Sequence, residues 1–493
     1  MLDDKNALYA AFKARDSRFD GRFFVGVSST GIYCRPVCRA RRPRIDNCSF
    51  FGTAAEAELA GYRPCLLCRP ELAPGRPRAG TPAESLAHRA ARMLEEGRGQ
   101  GDRLDGVAAR LGCSVRHMRR VFMEEYRVPP VRYLQTCRLL LAKSLLTDTG
   151  LPVIEVAMAA GFGSLRRLNA LFRERYGLTP TDFRGRGREG GGQGAITLSL
   201  GYRPPYRLGA ILGFLGARAI AGVEKATDRE YSRTARLVTA EGRELRGWLK
   251  VGRVSGKDEL GVTVGESLLP VLPQVLARVR GQFDLGCDPD AVHETLAQMN
   301  DIRPGLCVIG MRLPGCFDPF EMAVRAVLGQ QVTVRAAGTL AARIAEAFGS
   351  PLRTGLDGLG RVFPSPGDVA AIGDDIAGRF GELGVTSARS RTILELARAF
   401  ERGGIDFDCP ADPEEEMKKL TAIRGIGDWT AGYIAMRAMG FTDAFLGTDH
   451  GVKKALWPLT PGESSRLAEA WRPWRGYAVV NLWNSLGGGQ NAL

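Results

Sequence analysis

Apolar residues recur along most of this chain at the helical spacing of three and four positions. Near the C-terminus this spacing predicts one helix from Glu414 to Ile423 and another from Trp429 to Met439. The segment between them, RGIGD, is short enough for only a tight hairpin, and its two glycines, Gly425 and Gly427, permit positive φ and a close backbone approach to a partner. The second helix then begins with free N–H groups, which form an anion site such as a DNA phosphate would occupy. Two packed helices with a glycine turn and no ligand would show the same pattern.

The block from 80 to 187 carries one pattern twice. In each copy a first helix of small residues ends at a glycine, Gly112 or Gly161, and a serine, Ser114 or Ser164, then caps a second helix. The second helices are predicted from Ser114 to Tyr126 and from Ser164 to Tyr176, and a long helix from Tyr133 to Leu146 lies between them. One copy alone could be a packed helical hairpin, but two in tandem favour DNA binding. The expected base or phosphate readers are Arg116, Arg119, Arg120, Arg166 and Arg167.

The remaining pattern completes the predicted fold class, which is multidomain and mainly α with α+β parts. The sequence RGRGREGGGQG, from Arg184 to Gly194, predicts a flexible basic linker. Beyond it, strand-like alternation in ITLSL, LRGWLKVGRV and LGVTVGES mixes with helical stretches from Leu208 to Arg218 and from Leu268 to Phe283. After Gly315 a long apolar helix is interrupted at Gly329. We therefore expect a small metal domain (1–75), a double helix-turn-helix domain (80–187), an α+β domain (195–304) and an all-α domain (305–493).

Composition and net charge indicate which kind of partner the protein binds and in which compartment it is found. The 493 residues are too many for one core, and a formal net charge of +14 favours a polyanionic partner. No apolar run approaches the ~18 residues that cross a bilayer, and the N-terminal segment lacks the apolar core of a signal peptide. We expect no membrane partner and a cytoplasmic, nucleoid-associated protein. In that reducing compartment the eleven cysteines are not expected to form disulfides.

Four of the cysteines form two tight pairs, Cys34-x3-Cys38 and Cys65-x2-Cys68. Thiolates at this spacing suit tetrahedral Zn²⁺, and no histidine lies near them, so one Zn²⁺ held by four cysteines is the economical prediction. A purely structural zinc staple is the alternative. Seven arginines near the pairs would offset the formal charge of −2 and reach for phosphates; they are Arg35, Arg39, Arg41, Arg42, Arg44, Arg63 and Arg69.

The residues around these cysteines form a specific sequence motif. FVGVSSTGIYCRPVCRARRPRIDNCSFF followed by GYRPCLLCRP resembles the Ada-type methylphosphotriester acceptor domain across nearly the whole segment. The resemblance implies that Cys34 is both zinc ligand and nucleophile, and that it takes one methyl group irreversibly from a methylphosphotriester. It also implies DNA contacts by Thr30, Arg39, Arg41 and Arg63, whereas Cys48 departs from the pattern. The charge of the site would change from −2 to −1, which strengthens DNA binding.

Three further resemblances follow along the chain. The doubled helix-turn-helix resembles the AraC-type DNA-binding domain. YRPPYRLGAILGFLGARAIAGVE and FDLGCDPDAVHETL are similar to the N-terminal domain of AlkA-type alkylbase glycosylases, for which we expect a supporting role without chemistry. The hairpin with FLGTDHGVKKAL after it resembles the helix-hairpin-helix superfamily of DNA glycosylases, and the likeness to AlkA-type enzymes continues in AWRPWRGYAVVNLW.

The glycosylase resemblance assigns roles to single residues. Asp449 matches the catalytic residue, and Trp429, Tyr433 and Trp483 match the walls of the pocket for the flipped base. The hairpin glycines, Gly425 and Gly427, match DNA-binding positions. Gln331, in the GQQ bend, matches the side chain that fills the hole left by that base, where the best-known member has an aliphatic residue.

The chemistry that follows is hydrolysis of an N-glycosidic bond. A purine alkylated at N3 or N7 is cationic and leaves readily, so a carboxylate need only stabilise the sugar cation and activate water. Trp429 stands where lyase-competent relatives carry a nucleophilic lysine, which predicts a monofunctional enzyme.

The predicted function is therefore a 3-methyladenine-type glycosylase fused to a methylphosphotriester-sensing regulator. Its expected partners are alkylated double-stranded DNA, promoter sites and RNA polymerase. One alternative is a transcription activator whose glycosylase half is only a DNA clamp. Another is a zinc-dependent DNA scaffold, which would neither accept a methyl group nor release a base.

Overall fold

The computed structural model describes residues 4–75, 85–97, 104–184, 194–408 and 410–487. The predicted basic linker from Arg184 to Gly194 lies almost wholly outside these residues. The fold class predicted from the sequence, mainly α with α+β parts, is confirmed. In the described part of the chain, no helix is both long and apolar enough to cross a membrane.

The first domain is a small sheet flanked by helices. Its strands lie in the order Cys48–Phe51, Phe24–Val27, Ile32–Cys34 and Arg63–Pro64, the last pair parallel and the others antiparallel. Helices Lys5–Ala14 and Ala54–Leu59 begin at the capping side chains of Asp4 and Thr53. Because Tyr33 pairs with Pro64, the residues that follow them, Cys34 and Cys65, are brought side by side.

The second domain is helical. Its helices are Leu86–Glu95, Leu104–Arg110, Val115–Tyr126, Pro130–Asp148, Val153–Ala159, Leu165–Tyr176 and Pro180–Arg184. The second helix of each predicted repeat is confirmed as a helix, at Val115–Tyr126 and Leu165–Tyr176. We call these the first and second recognition helices. Ser114 and Ser164 cap them by accepting from the N–H groups three residues on. The turns need their glycines, since Gly112 has φ 67° and Gly161 has φ 81°.

The third domain contains a five-stranded antiparallel sheet. Its strands lie in the order Ala195–Gly201, Glu259–Gly265, Glu244–Arg253, Glu230–Val238 and Glu224–Ala226, and its helices are Leu208–Ala217, Leu272–Gln282, Pro289–Leu296 and Met299–Ile302. The three predicted strands are confirmed, but the short strand Glu224–Ala226 and the long strand Glu230–Val238 were not predicted. The long strand has a physical reason. Its interior is buried on both faces, including Arg233, which pairs with Glu224 and Glu321, so it lacks the alternation of a half-exposed strand.

The C-terminal region is almost entirely helical. Its helices are Pro319–Leu328, Val334–Phe348, Pro366–Ala370, Ile376–Gly381, Ser387–Glu401, Pro413–Thr421, Asp428–Ile434, His450–Ala455, Pro461–Ala468 and Arg475–Asn484, with a short strand pair, Ser350–Pro351 and Arg361–Val362. The predicted break at Gly329 is confirmed. The helix predicted from Trp429 to Met439 is α-helical to Ile434 and then becomes a π-helical turn, Ala435–Met439.

The two halves of the chain pack against each other. The apolar core of the second helix-turn-helix repeat is continuous with that of the α+β and C-terminal domains, while the first repeat has a separate core that includes Ala55. Arg203 donates to the carbonyl of Gly75 at 2.7 Å, and Arg22 forms an ion pair with Asp288. These contacts connect the domain of the paired cysteines with the α+β domain.

Candidate functional sites

Asp449 is held by three hydrogen bonds at the start of helix His450–Ala455. Its Oδ1 accepts from the backbone N–H of Val452 at 3.0 Å and from the indole N–H of Trp483 at 2.8 Å. Its Oδ2 accepts from the indole N–H of Trp429 at 3.0 Å. The side chain is buried, with 3% of the residue exposed. The carboxylate therefore has one fixed orientation, set by the two predicted pocket tryptophans and by its own role as helix cap.

The predicted pocket aromatics lie around this carboxylate. Trp429 and Tyr433 are parallel, with ring centroids 5.3 Å apart and an interplanar angle of 6°. Tyr433 meets Trp483 edge to face at 6.3 Å. The structure thus brings Trp429, Tyr433, Trp483 and Asp449 into one cluster, which we call the aromatic cluster.

Two members of this site were missed by the sequence analysis. Phe214 stacks on Trp483 with centroids 6.0 Å apart, and the guanidinium of Arg218 lies 3.8 Å from the centroid of the Phe214 ring. Both come from the α+β domain, which supports the aromatic cluster through these contacts. The only signal was their spacing of four residues in FLGAR, which puts them on one helix face.

One side of the aromatic cluster is strongly basic. Although burial raises the pKa of Tyr433, the guanidinium groups of Arg437, Arg218 and Arg325 outweigh it and hold that pKa below its ordinary value. Arg437 donates to the Tyr433 hydroxyl at 2.8 Å. Arg325 is in turn paired with the buried carboxylate of Glu224 at 2.9 Å. These buried charges fix the position of Tyr433.

The space beside the aromatic cluster is small. A cavity of about 30 Å³ is bordered by Trp429, Tyr433, Arg218 and Arg325. A separate cavity of about 140 Å³ is bordered by Phe214 and Trp483. The lining of the smaller cavity also includes Gly329, at the start of the neighbouring loop that leads to helix Val334–Phe348.

That neighbouring loop carries the predicted wedge residue. Gln331 lies exposed between helices Pro319–Leu328 and Val334–Phe348, with φ 54°, a left-handed conformation that non-glycine residues seldom adopt. The adjacent Gln330 donates to the Gly425 carbonyl at 2.8 Å and to the Thr430 hydroxyl at 3.1 Å. The wedge loop and the hairpin are therefore joined directly.

The two hairpin glycines differ. Gly425 has φ 95°, and a Cβ there would lie 2.2 Å from Oγ1 of Thr392. Gly427 has φ −93°, and nothing lies within 4 Å of the Cβ position. Gly425 therefore adopts the positive φ that glycine permits, whereas Gly427 does not. Gly427 instead leaves open space in front of the first N–H groups of helix Asp428–Ile434.

This difference supplies a matched pair of substitutions. Gly425→Ala should lower the free energy of unfolding by more than about 1 kcal/mol, because alanine is strained at positive φ and clashes with Thr392. Gly427→Ala should leave thermal stability unchanged and weaken DNA binding severalfold, because its methyl group occupies the space in front of the anion site. Thermal unfolding and DNA affinity at one fixed salt concentration measure the two effects. If Gly427→Ala bound DNA as the wild type does, the hairpin would not contact a phosphate.

The four paired cysteines form a second site. The Sγ atoms of Cys34, Cys38, Cys65 and Cys68 all lie within 4.8 Å of one another. Backbone N–H groups point at two of the sulfurs, from Arg35 to Cys68 at 3.3 Å and from Ala40 to Cys38 at 3.5 Å, and such bonds stabilise thiolates. Four converging sulfurs fit a tetrahedral ion with Zn–S bonds of about 2.3 Å. The cluster is a site for one Zn²⁺.

The basic residues around this site do not all serve one purpose. Thr30, Arg39, Arg41 and Arg63 are exposed, as DNA contacts require. The expectation that all seven nearby arginines reach for phosphates is wrong for two of them. Arg35 pairs with Asp20, and Arg69 forms two 2.7 Å hydrogen bonds with Asp148, so both hold the fold together.

The five arginines predicted as DNA readers on the recognition helices are exposed in the structure: Arg116, Arg119, Arg120, Arg166 and Arg167. Opposite faces of these helices carry the buried residues Met118, Phe122, Leu168 and Phe172. Each helix is therefore amphipathic in the sense that a groove-binding helix requires.

Family models match three stretches of the chain. Residues 7–71 match the metal-binding domain of Ada, residues 107–186 match a helix-turn-helix domain, and residues 197–318 match the AlkA N-terminal domain. The match to the Ada metal-binding domain covers all four clustered cysteines.

Relatives extend these matches over the whole chain. A Mycobacterium tuberculosis protein named as a probable bifunctional transcriptional activator/DNA repair enzyme AlkA is 35% identical over 99% of this chain and 97% of its own length. The chain belongs to this family of AlkA-type bifunctional proteins. The AlkA-type half is also 37% identical to the Escherichia coli DNA-3-methyladenine glycosylase 2, over 59% of this chain and 97% of that protein. The Ada-type half is 33% identical to the Escherichia coli bifunctional transcriptional activator/DNA repair enzyme Ada, over 37% of this chain and 49% of that protein.

Proposed function

We propose that this AlkA-type fusion protein hydrolyses the N-glycosidic bond of alkylated purines, of the 3-methyladenine type, in double-stranded DNA. The observation that carries the proposal is the oriented carboxylate of Asp449, held by the indole N–H groups of Trp429 and Trp483 within the aromatic cluster. The name of the Escherichia coli relative supports the substrate class. A release assay on alkylated duplex DNA is the direct test.

The geometry suits a reaction with a good leaving group. In this mechanism the target nucleotide leaves the base stack, and Gln331 fills the space it vacates. Asp449 then stabilises the positive charge that develops on the sugar and accepts a proton from the attacking water. Trp429 occupies the position of a lyase lysine, so no amine attacks the sugar and the product is an abasic site rather than a cleaved strand.

We assign to the first domain a single methyl transfer to Cys34. Bound Zn²⁺ would keep the four sulfurs deprotonated at neutral pH. In the step, Sγ of Cys34 attacks the methyl carbon of a methylphosphotriester, an S–C bond forms, and the C–O bond breaks. The electron pair stays on the phosphate oxygen, which restores the diester. Thr30, Arg39, Arg41 and Arg63, all exposed near the site, would hold the flanking phosphates.

The helix-turn-helix domain would couple the methyl transfer to transcription. We propose that the two recognition helices bind promoter DNA, that methylated protein recruits RNA polymerase there, and that the protein resides at the nucleoid. The alternative of an activator with an inert glycosylase half fits the site poorly. A clamp needs neither a buried, triply hydrogen-bonded Asp449 nor the aromatic cluster around it, and base release would decide between the two.

Methylation should fall on Cys34 alone. It should tighten promoter binding by roughly tenfold, because one negative charge is removed close to phosphates. Peptide mass mapping after incubation with methylphosphotriester DNA locates the thioether, and binding measured before and after the reaction gives the gain. Modification of Cys38, or unchanged affinity after complete modification, would contradict the assignment.

A further inference from the structure

A buried carboxylate lies where the zinc domain meets the helix-turn-helix domain. Glu58, in helix Ala54–Leu59, is 3% exposed. Its Oε1 accepts from the hydroxyl of Tyr33 at 3.2 Å and from that of Tyr176 at 3.3 Å, and its Oε2 accepts from the hydroxyl of Thr136 at 2.8 Å. Tyr33 precedes the zinc ligand Cys34, Thr136 lies in helix Pro130–Asp148, and Tyr176 ends the second recognition helix.

Burial of this carboxylate costs stability, but its hydrogen bonds fix the positions of the groups that donate to it. Burial raises the pKa of Glu58 to about 7, against the lowering effect of the three hydroxyls and of Arg175. A buried carboxylate that hydroxyl groups solvate is more costly than an apolar side chain of the same size. Its hydrogen bonds have strict directions, however, so it fixes the relative positions of the three elements that donate to it.

Two arginines hold the same junction through the backbone. Arg63 of the zinc domain donates to the carbonyl of Tyr176 at 3.4 Å, at the C-terminal end of the second recognition helix. Arg175 of that helix donates to the carbonyl of Glu58 at 3.3 Å. A cation at a helix C-terminus is favourable. An arginine of the zinc domain therefore holds the end of the second recognition helix, and an arginine of that helix holds the zinc domain.

A second set of contacts ties the zinc domain to the long helix Pro130–Asp148. Arg69 forms its two hydrogen bonds with Asp148, and Lys143 forms a buried ion pair with Glu71 at 2.6 Å. These pairs hold the helix that connects the two repeats. Glu58 reaches both this helix and the second recognition helix.

We propose that Glu58 is a positioning residue that joins the zinc domain and the second helix-turn-helix into one DNA-reading unit. The exposed phosphate-contacting side of the zinc domain and the second recognition helix then approach DNA with a fixed relative angle. Because Tyr33 is adjacent to Cys34, the junction also carries a change at the methyl acceptor to that helix. This last part rests on the proposed methyl transfer to Cys34.

The test uses the full-length protein and a duplex selected by the wild-type protein from random-sequence DNA. Glu58→Leu should lower affinity about tenfold, because the second recognition helix is no longer held at a fixed angle to the zinc domain and binding must then order it. Hydroxyl-radical footprinting should show the loss at the part of the site that the second recognition helix protects, with protection by the first helix retained. Glu58→Gln keeps an acceptor and should restore most of the affinity.

Two further variants separate positioning from general damage. Glu56→Gln is the matched control, because Glu56 lies in the same helix, accepts at 2.7 Å from Gly52, and reaches the first recognition helix rather than the second, through a 4.0 Å ion pair with Arg127; protection by the second recognition helix should equal that of the wild type. Tyr176→Phe should reproduce part of the Glu58→Leu loss, and the two effects should not add, because they remove the same contact. Equal loss of protection at both helices, or additive losses, would overturn the proposal.

Mass mapping of Cys34 in the same samples keeps the two proposals distinct. If the wild type forms no thioether, the methyl-acceptor assignment fails. The footprints still test whether Glu58 positions the second recognition helix relative to the zinc domain. If the thioether forms and Glu58→Leu shows the full wild-type gain in affinity, Glu58 does not transmit the reaction and that part of the inference is wrong. A gain reduced severalfold in Glu58→Leu, and restored in Glu58→Gln, is the expected result.

Discussion

Asp449→Asn should reduce the release of 3-methyladenine by orders of magnitude and leave the protein folded. The substitution removes the negative charge that stabilises the sugar cation, and each ~1.4 kcal/mol of lost stabilisation costs a factor of ten in rate. The amide oxygen can still accept from the N–H groups of Val452 and Trp483, so the helix cap is kept. Single-turnover release from alkylated duplex DNA measures the effect free of product dissociation.

The same substitution carries a small cost in stability. The amide nitrogen replaces Oδ2 and faces the indole N–H of Trp429, so one hydrogen bond is lost, worth about 1 kcal/mol. Asp443→Asn is the matched control. Asp443 is as buried as Asp449 but is paired with Arg472 and Arg475, so this variant should lose more thermal stability and keep the release rate of the folded enzyme.

A near wild-type release rate in Asp449→Asn would make Asp449 a structural aspartate and remove the basis of the proposed mechanism. Methyl transfer to Cys34 should be unaffected in both variants, because that site lies in another domain. Retained thioether formation therefore shows that the first domain is intact, and thermal unfolding reports on the domain that carries the substitution.

The parts of the site that the sequence predicts are those encoded locally. Trp429 and Tyr433 share a helix face by their spacing of four residues, and the paired cysteines have metal-ligand spacing within two short segments. The recognition helices are marked by Ser114 and Ser164, whose side chains cap them in the structure. In each case the signal and the structure it specifies lie within a few residues.

The parts that were missed depend on packing between distant segments. Phe214 reaches Trp483 from a domain more than two hundred residues away in the chain, and no local pattern specifies that contact. Arg35 and Arg69 resemble phosphate-binding residues in the sequence, but their partners, Asp20 and Asp148, are set by the fold. Glycine permits positive φ at both hairpin positions, but only the fold decides that Gly425 adopts it and that Gly427 leaves open space instead.

Replacing Cys65 and Cys68 with alanine together should abolish metal binding and unfold the first domain. Elemental analysis should fall from one zinc per chain to none, because two remaining thiolates do not complete a tetrahedral site. The domain has a small apolar core, in which Leu8, Phe12, Phe23 and Val25 pack beside the clustered cysteines. So small a core folds poorly without its metal, and metal-binding energy is then folding energy. Limited proteolysis should cut within residues 4–75 of the double variant and spare the wild type.

Cys48→Ala controls for the loss of a buried thiol. Cys48 lies in the same core and donates to the Arg44 carbonyl at 3.4 Å, but it is outside the sulfur cluster. This variant should keep one zinc per chain and lose only about 1 kcal/mol of stability. Zinc content unchanged in the double variant would show that other residues hold the metal. Base release should persist in the double variant, because the aromatic cluster belongs to a separate core and Asp449 keeps all three of its hydrogen bonds there.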